Sequence, residues 1–324
     1  MGLREHKAKL EKLQSLIALF SMIVFFSVLY KDFRTLDNFW TIMRQVSVNA
    51  CLSVGMTMVI LTGGIDLSVG SVLALSGAFA AGLLKNGLEI PALNLFVGVT
   101  VLGSVVIAGL VGSSLGLFNG LMITRFKIPP FVATLCMLII ARGFTELWTG
   151  GANITGLGTT FDFLGTGRLL GVIPMPVCIS TVAVFIAAVV LKKTRFGRYI
   201  YAVGGNERAA RLSGLNVNRI KTLVYTISGF LAAIGGIIVT AKIDSASPTA
   251  GEAYELDSIA AVVIGGTSLD GGRGSVLGTV IGVLIIGILN SGLTIAGVDP
   301  FWQKVVKGFV ILLAVVIDRL QARE

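Results

Sequence analysis

Four ionisable residues lie inside or at the edges of long apolar runs: Asp66, Arg142, Glu146 and Asp257. A charge in hydrocarbon is costly, so each must be paired, capped or held in a polar cavity, and each is a candidate for a gating or substrate path. Asp66, in Gly63-Gly64-Ile65-Asp66-Leu67-Ser68, falls at a hairpin between two apolar runs. There its carboxylate is expected to cap the helix beginning at Leu67, with gating or contact to a partner subunit as the alternatives. Arg142 and Glu146 are four apart on one helix face and are expected to neutralise each other. Asp257 reads as a helix cap or a rim residue. None of the four has the company that catalysis needs. The chain contains no Gly-x-x-x-x-Gly-Lys-Ser/Thr phosphate loop, no His-Glu-x-x-His and no legible nucleophile triad. Its single histidine, His6, is in a charged tail, and Cys51, Cys136 and Cys178 are scattered through apolar sequence, where packing is their expected role. Neither catalysis nor a metal or cofactor is expected.

The longest connection between apolar runs, residues 192–221, carries Lys192, Lys193, Arg195, Arg198, Arg208, Arg211, Arg219 and Lys221 against one acid, Glu207. Within it Asn206 is suited to cap a short helix, Glu207 to sit at that helix's positive end, and Gly214 to close it. The spacing predicts a helix from Glu207 to Ser213, about 10 Å long at 1.5 Å per residue. A short, capped helix is a rigid protrusion that a soluble partner can grip. The alternative is a basic loop that only fixes topology.

The elements that must hold these residues are membrane spans. Of the 324 residues, 54% are hydrophobic and 13% charged, with a mean hydropathy of +0.89. A soluble domain carries about 25% charged residues, and this chain could not cover a surface in water. The net charge of +9 does not gather on a soluble domain, so nucleic acid is not an expected partner and membrane lipid is. Apolar runs of span length occupy 14–30, 44–62, 67–84, 131–149, 171–191, 222–241, 275–294 and 303–318. The basic tail 1–13 precedes the first, and no small-residue cleavage site follows it, so that run is read as an uncleaved span. Residues 92–124 are free of charge and too long for one straight span, which predicts a tilted or broken helix. Residues 257–266 can cross only as a short or irregular helix.

These sum to an all-α, polytopic transmembrane helical bundle of about ten spans, a single domain over 1–324 with a tail at 1–13. With the N-terminus inside, Lys31, Arg34, Lys85, Arg168 and Lys242 are the basic residues of the outer loops. The inner segments hold Arg4, Lys7, Lys9, Lys12, Arg125, Lys127, the eight in 192–221, Arg273, Arg319 and Arg323. The bias places both termini in the cytoplasm.

Glycines at 112, 116 and 120, and at 274, 278 and 282, recur every four residues and line helix faces for close backbone packing. Gly63-Gly64 followed by Gly70-Ser71-Val72-Leu73 is echoed by Gly265-Gly266 followed by Gly274-Ser275-Val276-Leu277, either an internal repeat or coincidence in a glycine-rich chain.

Three stretches carry a resemblance. Residues 47–73 (Ser-Val-Asn-Ala-Cys through Gly-Gly-Ile-Asp-Leu-Ser-Val-Gly-Ser-Val-Leu), 197–214 (Gly-Arg-Tyr-Ile-Tyr-Ala-Val-Gly-Gly-Asn-Glu-Arg-Ala-Ala-Arg-Leu-Ser-Gly) and 258–278 are similar to the membrane permease subunits of ATP-binding-cassette carbohydrate importers. The resemblance covers nearly the whole chain beyond the first span. It implies a ten-helix, pore-forming subunit of the bacterial inner membrane, used as a dimer with a second copy or a sister permease. Two cytoplasmic ABC ATPase subunits would drive it and a periplasmic sugar-binding protein would deliver ribose or a related small sugar; xylose, galactose-type sugars, inositol and sugar-like signals stay open. Residues 206–214 would be the coupling helix that docks into an ATPase cleft. The wider importer motif is Glu-Ala-Ala, three residues, then Gly. Here Ala209, Ala210 and Gly214 keep the spacing, Arg208 stands in the glutamate's place and Glu207 precedes it, so the docking role carries over better than any ion pair. Small residues at 209, 210 and 214 suit a helix packed closely in a cleft. The competing class, an ion-coupled secondary transporter, would place ionisable residues along a coupling path; the run after 275 has none before Lys304, apart from Asp299 at its end.

Overall fold

The computed structural model describes residues 2–90 and 95–323, with side chains described outside 2–13, 88–95, 314 and 317–323. His6, Arg4, Lys7, Lys9, Lys12, Arg319 and Arg323 therefore lie outside the described side chains. Thirteen α-helices form among the described residues. In chain order they are α1 (Gly2–Leu29), α2 (Leu36–Leu61), α3 (Val69–Asn86), α4 (Val101–Arg125), α5 (Pro130–Thr149), α6 (Thr159–Thr166), α7 (Met175–Lys193), α8 (Arg195–Gly205), α9 (Glu207–Leu212), α10 (Val217–Lys242), α11 (Tyr254–Ile264), α12 (Val276–Ile295) and α13 (Pro300–Arg323). Side-chain caps begin many of them. The hydroxyls of Thr35, Thr100 and Ser275 accept from the amides of Asn38, Gly103 and Gly278 at the starts of α2, α4 and α12, satisfying donors that the first turn leaves orphaned. Pro130 occupies the first position of α5, where its missing N–H costs nothing.

Among the described residues seven helices are long and apolar enough to cross a membrane: α2, α3, α4, α5, α7, α10 and α12; Gln14–Leu29 forms a shorter apolar stretch. The sequence leads to an expectation of about ten spans, and seven of the described helices meet this length and hydropathy. α11, at 11 residues, is about 16 Å long and too short to cross alone, as its sequence led us to expect. The charge-free run 92–124 is not one long helix. Its first part joins a hairpin pairing Leu88–Ile90 with Leu95–Val97, Leu88 opposite Val97, and only Val101–Arg125 is helical. Two further antiparallel pairs, of two residues per strand, join Ile154–Thr155 to Ser245–Ala246 and Arg168–Leu169 to Ile173–Pro174. The chain is mostly, not wholly, helical.

The chain divides into two packed units: residues 1–64, 184–215 and 256–324 make the first, and 65–183 with 216–255 the second. The boundary at 183/184 cuts α7. In the first unit, α2 packs along α12, where the hydroxyls of Thr57 and Thr279 meet at 2.7 Å. Phe26 and Phe33, stacked at 5.6 Å, join Ile42, Val46 and Val283 in an apolar cluster. In the second unit, α4 lies directly on α10. A methyl on Gly112 would overlap the carbonyl of Gly229, one on Gly116 that of Tyr225, and one on Gly120 the backbone of Thr222. The four-residue glycine spacing is thus a helix-packing face, with backbone against backbone. The outward faces of α4, α5 and α7 remain apolar and exposed, as at Leu102, Leu110, Ile139, Leu147 and Phe185, which fits a lipid solvent.

Candidate functional site

The segment 192–221 folds as two helices, not one. α8 turns Ile200 and Val203 inward and Arg195 and Arg198 outward; its buried face was hidden in the sequence among the charges. α9 follows at once. The Asn206 side chain accepts from the Ala209 amide at 2.9 Å. At the other end Leu215 N–H donates to Ala210 O and Gly214 N–H to Arg211 O, both at 3.1 Å, the paired bonds of a Schellman stop. Gly214 has φ +83°, a left-handed backbone that side chains with a Cβ resist. Glu207 and Arg211, one turn apart and both largely exposed, pair at 3.1 Å.

On this helix Ala209 is exposed, whereas Ala210 is 6% exposed and packs against its own chain. The apolar group at the tip is Leu212, 83% exposed and passed over in the sequence.

Asp66 is 1% exposed. Its Oδ1 accepts from the Ser68 amide at 3.0 Å and the Ser68 hydroxyl at 2.6 Å; its Oδ2 accepts from Ser228 at 3.0 Å. Asn119 of α4 donates to the Ser68 oxygen at 2.9 Å. Helix α3 starts at Val69 with Ser68 as its cap residue, so Asp66 closes a side-chain turn ahead of the helix and does not cap its first-turn amides. Through Ser68, Asn119 and Ser228 it fastens the start of α3 to α4 and α10.

Arg142 donates to the carbonyls of Pro248 and Ala250, at 2.9 Å for the latter. The hydrogen bonds of the guanidinium go to the 248–250 backbone, and its charge is balanced by Glu255 and Glu252 ahead of Glu146, which is exposed. Asp257, 6% exposed, pairs with Lys307 at 3.1 Å, so α11 is tied to α13; it is neither a cap nor a free rim residue. A cavity of about 670 Å³ opens between α3, α4 and α5, lined by Leu75, Phe79, Leu110, Phe144 and Trp148 among others. Phe79 and Trp148 stack at 4.2 Å, and the indole N–H is committed to Ala78 O at 3.0 Å. Ser114 is the lone hydroxyl of that lining, too little polarity to recognise a sugar. Among the described residues no cluster of three or more His, Cys, Asp or Glu side chains could hold a metal.

Known permeases resemble this chain over most of its length. Residues 38–315 match the family model described as the permease component of branched-chain amino acid transport systems. The chain is 49% identical to the ribose import permease protein of Bacillus subtilis over 96% of this chain and 93% of that protein, and 49% identical to its Escherichia coli K12 counterpart over 96% and 95%. A galactose/methyl galactoside import permease of Haemophilus influenzae is 38% identical over 89% of this chain and 88% of that protein. No solved structure matches the chain.

Proposed function

Because the chain belongs to this permease-component family, we propose that it is the pore-forming membrane subunit of an ATP-driven importer for ribose or a related small sugar, working as a dimer with partner ATPases and a sugar-delivering binding protein. The observation that carries the reading is the near-full-length identity to ribose import permeases. α9 supports the partner: a capped, closed helix with exposed Ala209 and Leu212 offers a small apolar tip in a basic surround, suited to an acidic-rimmed cleft. With no phosphate loop of its own, the chain needs another subunit to spend ATP. The test is reconstitution in liposomes. Labelled ribose should accumulate only when ATPase, binding protein and ATP are all supplied. Accumulation driven by a proton or sodium gradient, with this chain alone, would overturn the reading in favour of a secondary transporter.

The excess of basic residues on the segments joining α4 to α5 and α7 to α10 supports a bacterial inner-membrane protein with α9 and both termini cytoplasmic. In a variant lacking Cys51, Cys136 and Cys178, an impermeant thiol reagent should label Leu212→Cys in inverted vesicles and spare it in intact cells. Labelling from outside intact cells would reverse the orientation.

A further inference from the structure

α8 ends on Gly204-Gly205, immediately before the cap of α9. A methyl on Gly204 would overlap the carbonyl oxygen of Leu61, the last residue of α2, and would press on the Gly272 amide. Those two groups are already joined, since Gly272 N–H donates to Leu61 O at 3.0 Å. A methyl on Gly272 would lie 2.7 Å from the Gly205 Cα, and one on Gly271 would lie 3.0 Å from the Gly63 amide and 3.1 Å from the Gly204 carbonyl. One turn back on α8, the Tyr201 phenol donates to Gly274 O at 3.0 Å, and burial raises its pKa above the ordinary tyrosine value. Ile200 and Val203 seal the same side. The end of α8, the end of α2 and the loop leading into α12 therefore meet backbone to backbone, all within the first unit. The two partners of α8 lie beside the two halves of the sequence echo: Leu61 stands two residues ahead of Gly63-Gly64, and Gly272 and Gly274 fall within 265–274.

Such a junction is mechanically unlike ordinary packing. A displacement between helices is normally absorbed by rotamer changes and small side-chain shifts. Here no side chain stands between the three backbones, and atoms at van der Waals contact repel steeply when pushed closer. A sub-ångström movement of α8 must be passed on or resisted; it has nowhere to be dissipated.

We infer that the Gly204–Leu61–Gly272 junction is the joint through which a displacement of α9 reaches α2 and the segment ahead of α12, with Gly204 and Tyr201 as its positioning residues. This rests on the reading of α9 as the ATPase-docking helix. Gly204 touches no cargo. Its absent side chain fixes the distance over which α9 is tied to the membrane helices.

The experiment uses the assembled complex with its ATPases and binding protein, and reads ATPase co-purification, ATP hydrolysis and sugar moved per ATP. Gly204→Ala should insert and retain the ATPase, while sugar moved per ATP falls at least about fivefold, the lower range of a typical coupling energy. Gly205→Ala, whose methyl would meet nothing within 4 Å, should match the parent protein. If Gly204→Ala does not accumulate in the membrane, Tyr201→Phe decides. It removes only the bond to Gly274, and sugar moved per ATP should fall at unchanged ATPase binding. A parent-like ratio in an expressed Gly204→Ala, or in Tyr201→Phe where Gly204→Ala is lost, overturns the joint. Leu212→Glu separates the two layers. If that variant keeps its ATPase and transports normally, the docking reading fails and the joint falls with it. If it sheds the ATPase while Gly204→Ala transports at the parent ratio, docking stands and the joint alone is wrong.

Discussion

Asp257 in the first unit and Asp66 in the second are both nearly sealed from solvent, yet Asp257 faces an ammonium while Asp66 meets hydroxyls and a backbone amide. Asp257 is held by charge, with Lys307 at 3.1 Å. Asp66 is held by dipoles: Ser68 twice, Ser228 once, and Asn119 behind Ser68. The difference teaches what each carboxylate is for. An ion pair fixes two helices to each other and fails when one partner is lost, because the survivor is left buried and uncompensated. A ring of small reorientable groups fixes a turn, and it can tolerate a change of charge by rotating a hydroxyl.

The same substitution at both sites puts this contrast at risk. Asp257→Asn strands the Lys307 ammonium and should lower unfolding stability in detergent by about 2 kcal/mol, below the usual buried-pair cost because Lys307 keeps a quarter of its side-chain surface. Adding Lys307→Met should restore most of the loss. A double variant no better than the single would mean that the pair holds α11 by shape and not by charge. The smaller effect belongs to Asp66→Asn, which keeps one oxygen for Ser68 and offers an amide that the Ser228 hydroxyl can turn to accept; we expect a loss of about 1 kcal/mol or less. Equal losses at the two positions, measured side by side by thermal unfolding, would erase the distinction between charge-held and dipole-held carboxylates.

What the sequence disclosed and what it withheld follow from the range of the interactions involved. The spans were legible because the solvent of a span is written in its composition. The runs 67–84, 131–149 and 275–294 fall within a few residues of α3, α5 and α12. The cap and stop of α9 were legible because Asn206 and Gly214 act on amides and carbonyls within five residues of themselves. The partners of the charged residues were not. Arg142 finds its acceptors 106 and 108 positions away, and Asp66 meets Ser228 across 162, distances over which spacing along one helix says nothing. The direction in which Ala210 and Leu212 point was equally hidden. A helix of fewer than two turns takes its rotation from what its flanks are fixed to, and the α8 flank is fixed at Gly204. The strand at Leu95–Val97 was missed because a short apolar hairpin and the start of an apolar helix have the same composition.

The brevity of α9 has a consequence for anyone seeking to block it. Six residues are far below the length at which a helix persists in water, since the nucleating turn costs more order than it gains in bonds. A synthetic peptide copying 206–214 would carry Ala209 and Leu212 but would lose, in becoming helical, the entropy that the folded protein has already given up through α8 and α10. Its affinity would be drained by that ordering cost. A competitor for the docking proposed for α9 must therefore be locked into shape by a covalent staple or a grafted scaffold, because what this protein displays there is a conformation as much as a set of side chains.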